Sequence, residues 1–124
     1  MSMNPNNKIV WCDIPVTNLD RAIKFYSAVL GHPVSKETYP GGAIGVLPHE
    51  GDGVGGCLSQ MEDSKPGTNG PLVYLNCEGR LDIAIATVAL NGGKVVKGKH
   101  AIGPYGFRAI VLDSEGNRIA LHSK

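Results

Sequence analysis

The sequence predicts an α+β fold: two βαβββ modules that line a shared cup, with their helices outside. Three observations carry this expectation. First, Leu19-Asp20-Arg21-Ala22-Ile23 returns as Leu81-Asp82-Ile83-Ala84-Ile85, and in the same register Gly31 meets Gly93 and Val34 meets Val96. Shifted by one residue, Val10 aligns with Val73, Trp11 with Tyr74, Asp13 with Asn76 and Leu58 with Leu121. A period of about half the chain marks two copies of one supersecondary unit. Second, each copy shows the same order of patterns: a strand, a helix, then three strands. Third, the stretch without periodicity, residues 61–71, sits at the middle of the chain and reads as a linker. Two related halves leave a cleft between them, and clefts are where small molecules bind.

The first module covers residues 8–60. Residues 8–16 alternate, with Val10, Cys12 and Ile14 on one face and Trp11 and Asp13 on the other, as in a half-buried strand. Thr17-x-x-Asp20 has the spacing of a capping box and predicts a helix. Leu19, Ala22, Ile23, Tyr26 and Leu30 fall on one helical stripe. Gly31 should end the helix, and Pro33 prevents its return. Short strands follow near 34–39 and 43–47 around Pro40-Gly41-Gly42. A Gly-rich loop, Pro48–Gly56, leads to a last strand at 56–60. That loop is no phosphate cradle, since it lacks the Lys-Ser/Thr ending and the following helix.

The second module covers residues 72–124. Residues 72–77 form a strand, with Val73, Leu75 and Cys77 opposed to Leu72, Tyr74 and Asn76. Leu81, Ala84, Ile85 and Val88 mark a helix that stops at Asn91-Gly92-Gly93. Strands follow near 94–97, 108–113 and 118–123, the last two joined by the tight turn Asp113–Asn117. The loop Lys99–Phe107, which carries His100 and Tyr105, could top the cup as a lid.

The totals exclude several classes. At 124 residues with 42% hydrophobic content, the chain makes one domain with a real core. The net charge is +1 and the basic residues are scattered, so no nucleic acid or anionic membrane is expected as a partner. No apolar run is long enough to span a membrane. Met1–Lys8 is polar and Asn-rich, unlike a signal peptide, and reads as a disordered lead-in. Cys12, Cys57 and Cys77 are odd in number and widely spaced, which fits free thiols in a cytoplasmic protein. The open edges of such a sheet predict a homodimer.

The element order, with Asp20-Arg-Ala-Ile-Lys-Phe-Tyr26, Leu30-Gly31 and Asp113-Ser-Glu-Gly-Asn-Arg118, resembles the vicinal oxygen chelate superfamily. That superfamily includes glyoxalase I, bleomycin-resistance proteins and extradiol dioxygenases, and the likeness is greatest to small glyoxalase-related proteins of unestablished substrate. The resemblance implies that the two modules form a curved mixed sheet around the cup. In metal-using members each half supplies two ligands, His, Glu or Gln, one from its first strand and one from its last. The matching positions here are Trp11 and Cys57, then Tyr74 (or Leu72) and Ala120. A divalent metal needs several lone pairs converging at about 2.0–2.3 Å. Trp offers no acceptor and Ala offers nothing. The expectation is therefore the fold and the cup without the metal, no other cofactor, and no glyoxalase I activity.

Alternation places Trp11, Asp13, Cys57, Ser59, Tyr74, Asn76, Arg118, Ala120 and His122 on the cup face. Trp11, Cys57, Tyr74, Asn76, Tyr105 and Arg118 are the candidate ligand-binding residues, with Trp11 and Tyr74 gripping a planar small molecule. Asp13 and His122 are the candidate acid/base pair, since a carboxylate beside an imidazole fixes its tautomer. The leading expectation is a metal-independent small-molecule-binding protein. The alternatives are a metal-free isomerase, epimerase or lyase using that pair, an enzyme with a displaced metal site built from Cys57, Asp13, His122 or His100, and an accessory domain that acts by self-association.

Overall fold

The computed structural model describes residues 1–124. The first module runs β1 (Asp13–Pro15), α1 (Leu19–Leu30), β2 (Ser35–Tyr39), β3 (Gly42–Val46) and β4 (Cys57–Ser59). The second runs β5 (Val73–Asn76), α2 (Leu81–Val88), β6 (Lys94–Ala101), β7 (Phe107–Leu112) and β8 (Arg118–Ser123). Each module closes its own four-stranded sheet, in the orders β1-β4-β3-β2 and β5-β8-β7-β6. In each, the first strand pairs parallel with the last and the other pairings are antiparallel. The expected curved mixed sheet is thus two mixed sheets, with β1 and β5 each an edge strand.

Helix α1 starts one residue later than the capping box implies. Asn18, not Thr17, is the cap: its backbone is extended and its side chain accepts from the Arg21 amide at 3.0 Å. Gly31 ends the helix in the left-handed region at φ 73°, with its N–H on the Ser27 carbonyl. The buried stripe is Leu19, Ala22, Phe25, Tyr26 and Val29. Phe25 and Val29 belong to it, and Ile23 and Leu30 lie at its edge, because α1 packs against α2 as well as against its own sheet. Phe25 reaches Gly93, where a Cβ would come within 2.6 Å of its ring and 2.5 Å of the Leu112 carbonyl. Leu81, Ala84 and Val88 bury the matching stripe of α2, and a 3-10 turn, Ala89–Asn91, carries the chain to Gly92. One continuous core of nineteen buried residues draws on both modules.

Three segments differ from the sequence expectation. The strand expected at 8–16 is regular only at 13–15, because residues before it lie along a Gly-rich loop that supplies no continuous ladder. Met1–Lys8 is not a loose lead-in. Ser2 is buried, its hydroxyl donates to the Asp52 carbonyl at 2.9 Å, and the Met3 amide donates to the Asp52 carboxylate at 2.8 Å. Strand β6 continues to Ala101, so His100 lies in a sheet opposite Arg108 and not in a lid loop. Its register shifts twice, which lets the long strand bend with its partner. Tyr105 closes a 3-10 turn, Gly103–Tyr105.

A polar joint ties the modules. Asp113, only 2% exposed, accepts from the Glu115 amide at 2.8 Å, the Asn117 amide at 2.9 Å and the Asn117 side chain at 3.0 Å. It also accepts from the Tyr26 hydroxyl of α1. Burial, and then the Asp113 charge, push the Tyr26 phenol well above its usual range, so it stays a donor. The Asn117 side chain donates onward to the Pro15 carbonyl at 2.7 Å. Beside it, Glu115 accepts from the Thr17 amide at 2.9 Å, the Asn18 amide at 2.7 Å and the Arg21 guanidinium at 2.7 Å. The Arg80 guanidinium of the second module donates to the Val29 carbonyl at the end of α1.

Two tests follow from this joint. Tyr26→Phe leaves a buried carboxylate oxygen short of a donor, which costs about 1–3 kcal/mol. Urea unfolding should show that loss, and a change below about 0.5 kcal/mol would mean the joint does not depend on the phenol. Burial tends to raise the Glu115 carboxyl, but the hydrogen bonds from Arg21, Asn18, Ser114 and Thr17 outweigh it and hold it at about 2. A depressed folded-state value gives stability above the unfolded value of 4.5 that is lost as pH falls towards about 2. Glu115→Gln should flatten the stability profile in that window, and an unchanged acid limb would contradict this account.

Candidate functional site

Each sheet gives one face to the helices and leaves the other open. On the first sheet, Ile14, Leu58 and Gly45 share the helix-side row, while Asp13, Cys57, Val46 and Ser35 line up on the open side. On the second, Val73, Ile119, Val111 and Val95 face the helices. Two rows cross its open face: Tyr74, Ala120, Ile110 and Lys97, then Asn76, His122, Arg108 and His100. Period-two alternation alone produces this sorting.

The first sheet carries a compact cluster. The indole Nε1 of Trp11 donates to Asp13 Oδ1 at 3.0 Å, and the Cys57 thiol donates to the same oxygen at 3.2 Å. The His49 ring packs edge-on to Trp11, with centroids 6.3 Å apart. Burial first, then the hydrogen bond and charge of Asp13, push the Cys57 thiol up to about 11. Burial likewise raises Cys12. These thiols are poor nucleophiles at neutral pH.

The second sheet carries an open depression of about 440 Å³ lined by Tyr74, Ile102, Tyr105, Arg108 and His122. Arg108 Nε donates to His100 Nε2 at 2.9 Å, and Nη1 donates to the Tyr74 hydroxyl. His100 Nδ1 lies 2.8 Å from the Gly98 carbonyl. A carbonyl can only accept, so the His100 proton sits on Nδ1 and the ring is neutral towards Arg108. His122 Nε2 lies 2.7 Å from the Tyr105 carbonyl, which places its proton there and leaves Nδ1 open. The Tyr74 and His122 rings meet edge-on at 6.1 Å. A second depression of about 460 Å³ lies off both open faces at the start of α1, where Arg21 and Lys36 are already paired with Glu115 and Asp20.

The structure therefore brings Trp11, Asp13 and Cys57 together on one sheet, and Tyr74, Tyr105 and His122 together on the other. It does not join Asp13 to His122: they stand on separate sheets, each with its own partner. Asn76 sits beside His122, with its side-chain oxygen accepting from the Glu78 amide at 2.9 Å. Arg118 is exposed on the open face, and its amide donates to the Gly67 carbonyl at 3.4 Å. Arg108 is the residue that sequence reasoning missed. The signal was present, since the buried alternation Ala109, Val111 puts Arg108 in phase with the open face.

The four positions where metal-using relatives carry ligands do not fit a metal. Trp11 and Cys57 both donate to Asp13, the Tyr74 hydroxyl accepts from Arg108, and Ala120 has no donor atom. Leu72, the other candidate at the third position, also offers none. The repeat mates are not even matched in register: Ala120 stands opposite Tyr74, whereas Cys57 stands opposite Asp13 and not Trp11. No three His, Cys, Asp or Glu side chains converge in a metal-holding group. No helix is long and apolar enough to cross a membrane.

Comparison with known proteins gives a consistent picture. A family model of the Glyoxalase/Bleomycin resistance protein/Dioxygenase superfamily matches residues 8–121. A glyoxalase/bleomycin resistance protein from Albidiferax ferrireducens T118 superposes with a TM-score of 0.74 at 20% identity, covering 95% of this chain and 100% of that one. TnmS3, an antibiotic binding protein from Streptomyces sp. CB03234, gives 0.70 at 22% identity, covering 94% and 95%. A superfamily member from Sphaerobacter thermophilus DSM 20745 gives 0.68 at 20% identity, covering 95% and 98%. No curated protein matches the sequence significantly.

The thiol geometry is directly testable. Iodoacetamide should modify Cys57 slowly at pH 8, with a rate that climbs towards a midpoint near 11. Asp13→Asn removes the charge that opposes the thiolate, so the midpoint should fall. Peptide mapping that finds Cys57 fast at pH 8, or unmoved by Asp13→Asn, would break the link between the two groups.

Proposed function

This chain belongs to the glyoxalase/bleomycin resistance protein/dioxygenase superfamily, and we propose that within it the chain binds a small molecule without the family's usual metal. The observation that carries this reading is the depression on the second sheet. Tyr74, Tyr105 and Ile102 give it apolar walls, and Arg108 and His122 converge on it as polar groups. Apolar walls with a few placed polar groups are the general form of a ligand pocket. The first sheet's cluster is engaged internally, with Asp13 holding Trp11 and Cys57. That engagement favours binding over acid/base catalysis by Asp13 with His122. TnmS3, a structural neighbour, is an antibiotic binding protein, which supports the reading.

We place the protein as a homodimer. Strands β1, β2, β5 and β6 are edges of their sheets. Ile9 and Val10, 71% and 42% exposed, lie just before β1. Exposed apolar residues at an unpaired edge are protected when a second copy covers them.

One set of measurements tests the reading. Native mass spectrometry and elemental analysis should find a dimer with far less than one metal per chain. Fragment screening by amide NMR should give shifts at Tyr74, Tyr105 and His122, and Tyr74→Ala should weaken any hit by about tenfold, or about 1.4 kcal/mol. One metal per chain that is lost on Cys57→Ala, or ligand shifts confined to other surfaces, would overturn it.

A further inference from the structure

The guanidinium of Arg108 has no acidic partner. The ion pairs of the molecule are Arg21 with Glu115, Lys36 with Asp20 and Lys99 with Asp82. Arg108 is half-buried and held at two points by neutral acceptors, His100 Nε2 and the Tyr74 hydroxyl. Its Cζ lies 5.9 Å from the Tyr74 ring centroid. Nε and one Nη1 hydrogen are engaged, so the Nη2 edge retains free donors.

The surroundings share this bias. The strands β5, β6, β7 and β8 contain no Asp or Glu, while they carry Lys94, Lys97, Lys99, Arg108 and Arg118. On the open face, Lys94, Lys97, Arg108 and Arg118 stand with Asn76, His100 and His122 and no carboxylate. A partly desolvated cation without a counter-ion is unfavourable unless something anionic completes it. An Arg held in a fixed plane, with a free edge, has the geometry that recognises a carboxylate.

We propose that Arg108 is an anion-recognition residue and that the depression takes a small planar carboxylic acid. The carboxylate sits on the free edge of the guanidinium, and the apolar body lies against Tyr74, Tyr105 and Ile102. His100 acts as a positioning residue: its Nδ1 proton is held by the Gly98 carbonyl, so Nε2 accepts from Arg108 and aims the free edge outward. This rests on reading the depression as the binding site, and it adds the chemical class of the ligand.

The test compares matched probes: benzoate and 2-naphthoate against benzamide and 2-naphthamide. Binding is followed by amide NMR and calorimetry on the full chain. The acids should shift resonances at Tyr74, Tyr105 and His122 and bind about tenfold or more tighter than the amides, a difference of about 1.4 kcal/mol or more. Arg108→Gln should erase that preference, and Arg108→Lys, which keeps the charge but not the planar edge, should keep only part of it. Thermal melting checks that each variant is folded, and His100→Gln, which still offers an acceptor, should retain more of the preference than His100→Ala. If acids and amides bind the depression equally, or the preference survives Arg108→Gln in folded protein, anion recognition is wrong and the binding site stands. If no probe reaches the depression at millimolar concentration, both readings fall.

Discussion

The structure turns on one buried carboxylate. Asp113 sits in the turn before β8 and takes four hydrogen bonds, three from its own turn and one from Tyr26 on the helix of the other module. A buried charge without partners is costly, and a fully satisfied one fixes geometry. The same carboxylate therefore shapes the turn into β8 and docks α1 against it. Asn117 then reaches the Pro15 carbonyl at the end of β1. The edge of the first sheet and the last strand of the second are thereby held in a set relation.

With the helices joined over one core, each sheet has a single free face. The two faces have diverged. The first ties its polar groups inward, around Asp13, and ends with a raised, protected thiol at Cys57. The second leaves Arg108 and His122 with unused hydrogen-bonding capacity beside the apolar side chains of Tyr74, Ile102 and Tyr105. Repeat mates thus occupy similar places with different chemistry. Trp11 is a donor satisfied by Asp13, while Tyr74 accepts from a cation.

Membership of the superfamily accounts for the scaffold and leaves the chemistry to the residues grafted on it. At the ligand positions of metal-using relatives, Trp11 and Cys57 donate to Asp13, Tyr74 accepts from Arg108, and Ala120 has no donor atom.

The sequence by itself determined the two-module plan, both helices, the Gly31 stop and the phase of nearly every strand. These are local signals: the 3.6-residue and two-residue periods sort apolar from polar side chains within a dozen residues. That phase put Trp11, Asp13, Tyr74, Asn76 and His122 on open faces. Only the tertiary structure decided which of them meet. Asp13 met Cys57 through the β1–β4 register, and Tyr74 met Arg108 across β8 and β7, pairings between segments far apart in the chain. It also moved the α1 stripe towards Phe25 and Val29, extended β6 through His100 and docked Ser2 on Asp52. Each depends on a surface supplied by a distant segment, and no local period encodes what that surface will be.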